Sequence, residues 1–264
     1  TPNPCIRCNS YVKWDAFIDQ ADQMGIEYIA TGHYAMIDQK GDQYFLKKGI
    51  DNKKDQSYVL WGIPKETLKR TIFPIGDLTK MQVREIARKN NLATAESAES
   101  MEICFVADNN YKRFLNDYNP DKMTNIKEGD IIEDGKSVGK HPGYINYTVG
   151  QRKGLKLSNP EPRYVSKINP TDNTITVGKK DSIFKDQCYI NGLNLLVDDI
   201  SFPIEINAQI RYNSMGGKAI LNEQNNKYKL QFNEPQLAVT PGQSAVFYKD
   251  DIVIGGGIIE LNDR

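Results

Sequence analysis

Glu27-Tyr-Ile-Ala-Thr-Gly-His-Tyr34 is the stretch that decides the fold. Glu27–Ala30 reads as a short buried strand, and Gly32 and His33 follow in a loop at its C-terminal end. Upstream, Val12, Ala16, Phe17, Ala21 and Met24 recur at helical spacing, so Tyr11–Met24 reads as a helix that Gly25 stops. Helix, strand and glycine-containing loop form the unit of an α/β sheet, and ligands bind outside the carboxyl ends of such strands. Gly32 lets a backbone approach a ligand closely. His33 has two readings, a polar edge for a ligand or a hydrogen-bonded structural histidine.

Working outward, Thr1-Pro-Asn-Pro-Cys-Ile-Arg-Cys-Asn9 carries two thiols, Cys5 and Cys8, as C-x-x-C. Pro2 and Pro4 each fix φ and remove a donor, so this segment is expected to be an exposed, stiffened loop rather than a helix. C-x-x-C has three physical readings: a redox pair, half of a metal site, or two buried small hydrophobes. Cys104, in Met101-Glu-Ile-Cys-Phe-Val106, ends an apolar run that could be a strand. Ala93–Ser100, small and polar, reads as a mobile loop leading into it. Cys188 precedes Tyr189-Ile190 and reads as structural.

Downstream, Tyr44–Lys47 reads as a strand and Asp51–Gln56 as a polar exposed loop. Lys65–Arg70 is a short helix, and Thr79 caps another that runs through Asn90 with Val83, Ile86 and Ala87 as its apolar stripe. Asn109–Tyr118 is a helix, and after Asn119-Pro120 the pattern turns to short strands. Val149-Gly-Gln-Arg-Lys-Gly154 sets two cations between glycines, an ordinary basic turn or a phosphate clamp. Arg163–Ile168 and Thr174–Val177 pair as a hairpin. From about Asp186 the chain is short alternating strands, which suggests a β-barrel or sandwich. The expected architecture is α/β over 1–108, a small mainly β domain over 109–185, and a C-terminal β-barrel over 186–264.

The chain has 264 residues, with 34 Lys+Arg against 34 Asp+Glu. A zero net charge does not announce nucleic-acid binding, so any basic surface must be local. Four cysteines in this length are not a disulfide scaffold. No signal peptide or long apolar run appears, and a reducing cytoplasm is the expected location.

TPNPCIRCN, Tyr28–Tyr34, Lys53-Lys-Asp-Gln-Ser-Tyr58, Phe73-Pro-Ile-Gly76, Glu102-Ile-Cys-Phe105, Val149–Gly154 and Val239-Thr-Pro-Gly-Gln-Ser-Ala-Val-Phe-Tyr248 together, in this order, resemble the tRNA-specific 2-thiouridylases. The resemblance covers essentially the whole chain. It implies that residues 1–108 are the C-terminal part of an adenine-nucleotide alpha-hydrolase-like, PP-loop-type catalytic domain. That family begins with a strand and a Gly/Ser-rich pyrophosphate loop that are not in this sequence. The chain therefore reads as a fragment, expected to be inactive by itself.

By the same resemblance, Cys104 carries a persulfide and Cys8 is the partner thiol, leaving a Cys8–Cys104 disulfide after turnover. Gly32 touches ATP, with Mg²⁺ offsetting phosphate charge. Asn3, Pro4 and Cys5 lie beside the target uridine. His33, Lys54, Asp55, Gln56, Arg211, Tyr212 and Gln243 face tRNA. The implied partners are tRNA and a persulfide donor, a cysteine desulfurase or sulfur relay, with no membrane.

Replacing a carbonyl oxygen by sulfur needs an activated oxygen and a nucleophilic sulfur, and adenylation and a persulfide meet these needs. Some family members carry an acidic residue where this chain has Cys5. Cys5, Cys8 and Cys104 could instead hold three corners of an iron–sulfur cluster, or, with His33, a zinc ion. A non-catalytic RNA-binding module is the remaining reading.

Overall fold

The computed structural model describes residues 3–97, 104, 106, 108, 110–124, 126–225 and 227–261. Its first element is a helix, α1 (Pro4–Arg7), and this corrects the expected loop. The Asn3 side chain accepts a hydrogen bond from the Cys5 N–H at 3.0 Å and caps the helix. Pro4 takes the first helical position, where the missing N–H would have had no partner and the fixed φ is already helical. A π-helical stretch, Cys8–Asp15, continues into α2 (Ala16–Gln23), and Gly25 at φ +68° ends the run. The wider π turns shift the buried face. Ile6, Asn9, Ser10, Trp14 and Ala21 point inward, whereas Val12, Phe17 and Met24, read from the sequence as the apolar stripe, are exposed.

The strand β1 (Ile29–Ala30) is followed by a hairpin, β2 (Ala35–Lys40) and β3 (Gln43–Lys48). The sequence reading found β3 and missed β2. Two 3₁₀ turns, Ser57–Leu60 and Lys65–Arg70, precede β4 (Thr71–Ile72), which pairs in parallel with β1. Gly76 is needed for close packing, since a Cβ there would sit 1.7 Å from the Ala35 carbonyl oxygen. α3 (Lys80–Lys89) starts at a capping box of Thr79 and Gln82, as the sequence indicated. Asn110 caps α4 (Tyr111–Tyr118), and α5 (Pro120–Thr124) follows. The possible strand leading into Cys104 lies outside the described residues, apart from Cys104 and Val106; so do the last residues of the Ala93–Ser100 loop.

The central unit is a four-stranded sheet of β5 (Gly129–Glu133), β6 (Lys136–His141), β7 (Tyr164–Asn169) and β8 (Thr174–Gly178), in the order β6-β5-β8-β7. The expected β7–β8 hairpin is present. Ile131, Val165, Ile175 and Val177 form its core with Tyr147 and Leu155.

The last unit contains β9 (Phe184–Leu195), β10 (Ile204–Gln209), β11 (Gly217–Gln224), β12 (Lys227–Leu237), β13 (Ser244–Lys249) and β14 (Ile252–Glu260). They run β13-β10-β11-β12-β9-β14, and β13 pairs back onto β14, which closes a barrel. Closure leaves no free edge among these strands. β9 escaped the sequence reading because its centre is polar and only Cys188 and Ile190 are buried.

The N-terminal unit and the barrel share one hydrophobic core. Trp14, Leu46, Tyr58, Leu60 and Ile63 pack with Leu196, Val246, Tyr248 and Val253. Ile252 of β14 pairs with Lys47 of β3, and the Tyr58 hydroxyl donates to the Ser244 carbonyl at 2.8 Å. Asn194 donates to the carbonyls of Trp61 and Ile63 at 2.7 and 3.0 Å. Among the described residues no helix is long and apolar enough to cross a membrane.

Candidate active site

Cys5 on α1 and Cys8 at the start of the π-helical stretch are three positions apart, so both thiols lie towards the same side of the first turn. Two anchors hold this turn. Asn9 donates to the Val59 carbonyl at 2.9 Å, and Trp14, fully buried, donates from Nε1 to Thr71 Oγ1 at 3.0 Å. Cys8 is half-buried, whereas Cys5 and Cys104 are exposed, and all four cysteines of the chain are free thiols. The disulfide that the resemblance implies is therefore not present in this state.

Partial burial raises the Cys5 pKa first, and negative charge on Cys104 and on Cys8 raises it further; Lys13 opposes them. The thiols from the two ends of the N-terminal unit thus share one electrostatic neighbourhood. Cys188 behaves differently: it lies in the barrel core, and burial pushes its thiol up to about 12. That agrees with the structural role read from the sequence.

Lys13 went unnoticed in the sequence. It sits five residues after Cys8, the hydrogen-bond spacing of a π turn. Its charge is felt at both Cys5 and His33.

His33 is buried at 8% exposure. Its ring packs in a triangle with Trp14 and Phe73, with centroids at 5.7 and 6.2 Å, and Nδ1 is 2.9 Å from Thr31 Oγ1. Burial, aided by Lys13, lowers its pKa to about 4, so the ring is neutral at pH 7. This is the packing of a structural histidine. Next to it, Gly32 lies just past the carboxyl end of β1, and a Cβ there would meet nothing within 4 Å. No crowding inside the described chain requires a glycine at this position.

The Lys54-Asp-Gln56 segment is half-buried rather than a free loop. Asp55 Oδ1 accepts from the N–H groups of Gly49 and Ser57, and Gln56 Oε1 accepts from the Tyr34 N–H at 3.0 Å. Tyr212 from the barrel reaches this segment, its hydroxyl donating to the Asp55 carbonyl at 3.3 Å and its ring meeting Tyr58 edge-on. Cys5 is close enough for its charge to be felt at Tyr212. Cys5, Asp55 and Tyr212, far apart in sequence, therefore border one face.

Arg211 Nη2 donates to the carbonyls of Val149 and Ala238, each at 2.9 Å, and to Thr240 Oγ1 at 3.1 Å. That guanidinium nitrogen ties the central unit to the barrel. Gln243 sits in the turn before β13, with its N–H on the Thr240 carbonyl at 3.2 Å. Arg152 and Lys153 are exposed on the basic turn.

Among the described residues no three His, Cys, Asp or Glu side chains are placed to hold one metal ion. In this arrangement Cys5, Cys8 and Cys104 do not make an iron–sulfur ligand set, and His33, packed among aromatic rings, does not complete a zinc set.

Comparison with known proteins decides the family. Residues 1–108 match a family described as "tRNA methyl transferase HUP domain", residues 112–179 a "tRNA methyl transferase PRC-barrel domain", and residues 185–259 an "Aminomethyltransferase beta-barrel domain". A tRNA-specific 2-thiouridylase MnmA of Carboxydothermus hydrogenoformans is 46% identical over 265 residues, covering 98% of this chain and 72% of that protein. The chain belongs to the tRNA-specific 2-thiouridylase family. A second relative with the same name, from Clostridium perfringens, is 42% identical over 263 residues, with the same 98% and 72% coverage. The observed architecture fits these matches: an α/β N-terminal unit, a small β unit and a closed β-barrel.

Proposed function

We propose that this protein is a tRNA-uridine 2-sulfurtransferase that moves a persulfide sulfur, with ATP, to C2 of the wobble uridine. The proposal is supported by Cys5, Cys8 and Cys104 being free thiols, with the charges of Cys104 and Cys8 both acting on Cys5, in a chain 46% identical to a protein named for this activity.

In this reading ATP, with Mg²⁺ accompanying its phosphates, adenylates the uridine O2, and Gly32 borders the nucleotide. Cys104 carries the persulfide. Its terminal sulfur bonds to C2 as AMP leaves, giving a mixed disulfide between Cys104 and the base. The Cys8 thiolate then attacks Cys104 Sγ. The bond from Cys104 to the transferred sulfur breaks, the sulfur stays on C2, and a Cys8–Cys104 disulfide remains. Lys13 is the nearby cation that opposes the rise of the Cys5 pKa.

The target base is flipped out beside Asn3, Pro4 and Cys5. The face bordered by Lys54, Asp55, Gln56 and Tyr212 receives tRNA, with Tyr212 half-turned outward as a stacking surface. Arg211 and Gln243 lie at the same junction of barrel and central unit. His33 acts on tRNA only through the loop it packs under. A cysteine desulfurase or sulfur relay loads Cys104 in the cytoplasm.

The test is nucleoside mass spectrometry of unmodified tRNA incubated with the full-length protein, ATP, Mg²⁺ and a persulfide donor. Formation of 2-thiouridine that stops in Cys104→Ser is the expected result. Absence of thiouridine with a loaded donor, or its persistence in Cys104→Ser, overturns the reading.

A further inference from the structure

The sequence singled out a C-x-x-C pair, but the sulfur-transfer cycle above uses only its second thiol. Cys5 is left over. It is exposed on the first turn of α1, three residues before Cys8. Residues at that spacing on a helix have Cβ atoms about 5–6 Å apart, and a disulfide needs about 3.5–4.5 Å. One 3₁₀ contact is already present in this turn. The Cys8 N–H is shared between the carbonyls of Pro4 and Cys5, a mixture of α and 3₁₀ bonding. Closing the remaining gap needs a small further tightening of a terminal turn.

We propose that Cys5 is an exit thiol, which attacks Cys8 Sγ in the Cys8–Cys104 disulfide left by turnover, forms a Cys5–Cys8 disulfide and returns Cys104 as a thiolate. This rests on the sulfur-transfer reading above, which supplies that disulfide. One S–S bond breaks and one forms, so no electrons enter or leave. The proton lost by Cys5 is matched by the one Cys104 can take up. Two electrons from an external dithiol then reduce the Cys5–Cys8 pair, which faces solvent at Cys5.

The electrostatics give the exchange an order. Burial, then the charges of Cys104 and Cys8, hold the Cys5 pKa up while its neighbours are reduced. Once Cys8 and Cys104 are joined, neither carries charge. Burial is then left to oppose Lys13, and Cys5 ionises more readily. Cys5 is thus easier to ionise once the disulfide exists than while its neighbours are reduced, although burial, the largest cause, still holds its pKa up. Cys104 is thereby freed for the next persulfide without waiting for a reductant.

The experiment is a single turnover of the full-length enzyme with tRNA, ATP and a persulfide donor, quenched in acid, alkylated and digested with trypsin. Cleavage after Arg7 separates Cys5 from Cys8, so each pairing links different peptides. The expected result is thiouridine together with a Cys5–Cys8 linkage and an alkylated Cys104. In Cys5→Ser the linkage should end on Cys8–Cys104. Thiouridine accompanied by Cys8–Cys104 in the wild type, with Cys5 alkylated at every quench time, overturns the exchange and leaves the sulfur-transfer reading standing. A parallel sample of the same protein is equilibrated with oxidised and reduced dithiothreitol. It should hold Cys5–Cys8 in at least tenfold excess over Cys8–Cys104. An excess of Cys8–Cys104 contradicts the exchange even if no thiouridine forms, the outcome that would sink the sulfur-transfer reading itself.

Discussion

The helical start of the chain and the closed barrel treat the same side chain in opposite ways. In the barrel, Cys188 is walled in by Leu230, Phe232 and Ile190 in one core, and burial pushes its thiol up to about 12. It is a small hydrophobe that stays protonated. Cys5 on α1 and Cys8 at the start of the π-helical stretch stand on a two-anchor turn at the edge of the other core, where the charges of Cys104, Cys8 and Lys13 act on Cys5. The contrast separates two kinds of sequence constraint. In the barrel the side chains are held by packing. At the thiols the backbone is held by Asn9 and Trp14 so that the side chains stay accessible.

Substitutions can break or sharpen this contrast. The largest effect is expected from Cys104→Ser or Cys8→Ser. Thiouridine formation should fall at least about 1,000-fold, in line with loss of a covalent nucleophile. The melting temperature should hardly move, since Cys104 is exposed and Cys8 half-buried. A large loss of stability in either variant would blur the division between the regions. The barrel should show the converse. Phe247 is fully buried, and Phe247→Ala should cost about 3–5 kcal/mol in urea unfolding. The fraction still folded should retain its alkylation rate at Cys5.

A third effect concerns pH. His33 has a folded pKa of about 4 against 6.5 unfolded. The unfolded chain therefore binds the extra proton first. The stability is complete above pH 6.5 and is lost as pH falls from there towards 4. Between pH 7.5 and pH 5 the loss from this one group is about 2 kcal/mol. His33→Gln should flatten that part of the profile, and an unchanged slope in the variant would show that His33 is not buried neutral. The smallest effect is expected at Gly32, where an added methyl meets open space. Gly32→Ala should leave unfolding unchanged and raise the KM for ATP about tenfold; an unaltered KM would remove Gly32 from the nucleotide edge.

The same contrast explains what was legible in the sequence. Lys227–Phe232 was readable because Leu230 and Phe232 alternate with more exposed neighbours, and Ile252–Glu260 because it is a short apolar run, buried without interruption from Val253 to Gly257. β9 was not, because only two of its residues are fully buried while charges and amides surround them. The α2 helix was recovered with the wrong face outward, since periodicity of 3.6 does not hold through a π-helical stretch. Pro4 starts a helix rather than breaking one, and the distinction depends on Asn3 capping the turn, which the sequence alone does not show. At the site, the thiols stood out as a motif. The contact of Tyr212 with Asp55, the box around His33 and the three acceptors of Arg211 could not be read, because each joins residues distant in sequence or depends on depth.

The most direct test of the central claim uses the full-length enzyme with Cys104 loaded with ³⁵S-persulfide. In one turnover with tRNA and ATP, the label should leave Cys104 and appear in 2-thiouridine. In Cys8→Ser it should stall in a covalent adduct between Cys104 and the tRNA that dithiothreitol releases. Label that reaches tRNA at the wild-type rate in Cys104→Ser, or that passes to free thiouridine without hindrance in Cys8→Ser, would contradict the account.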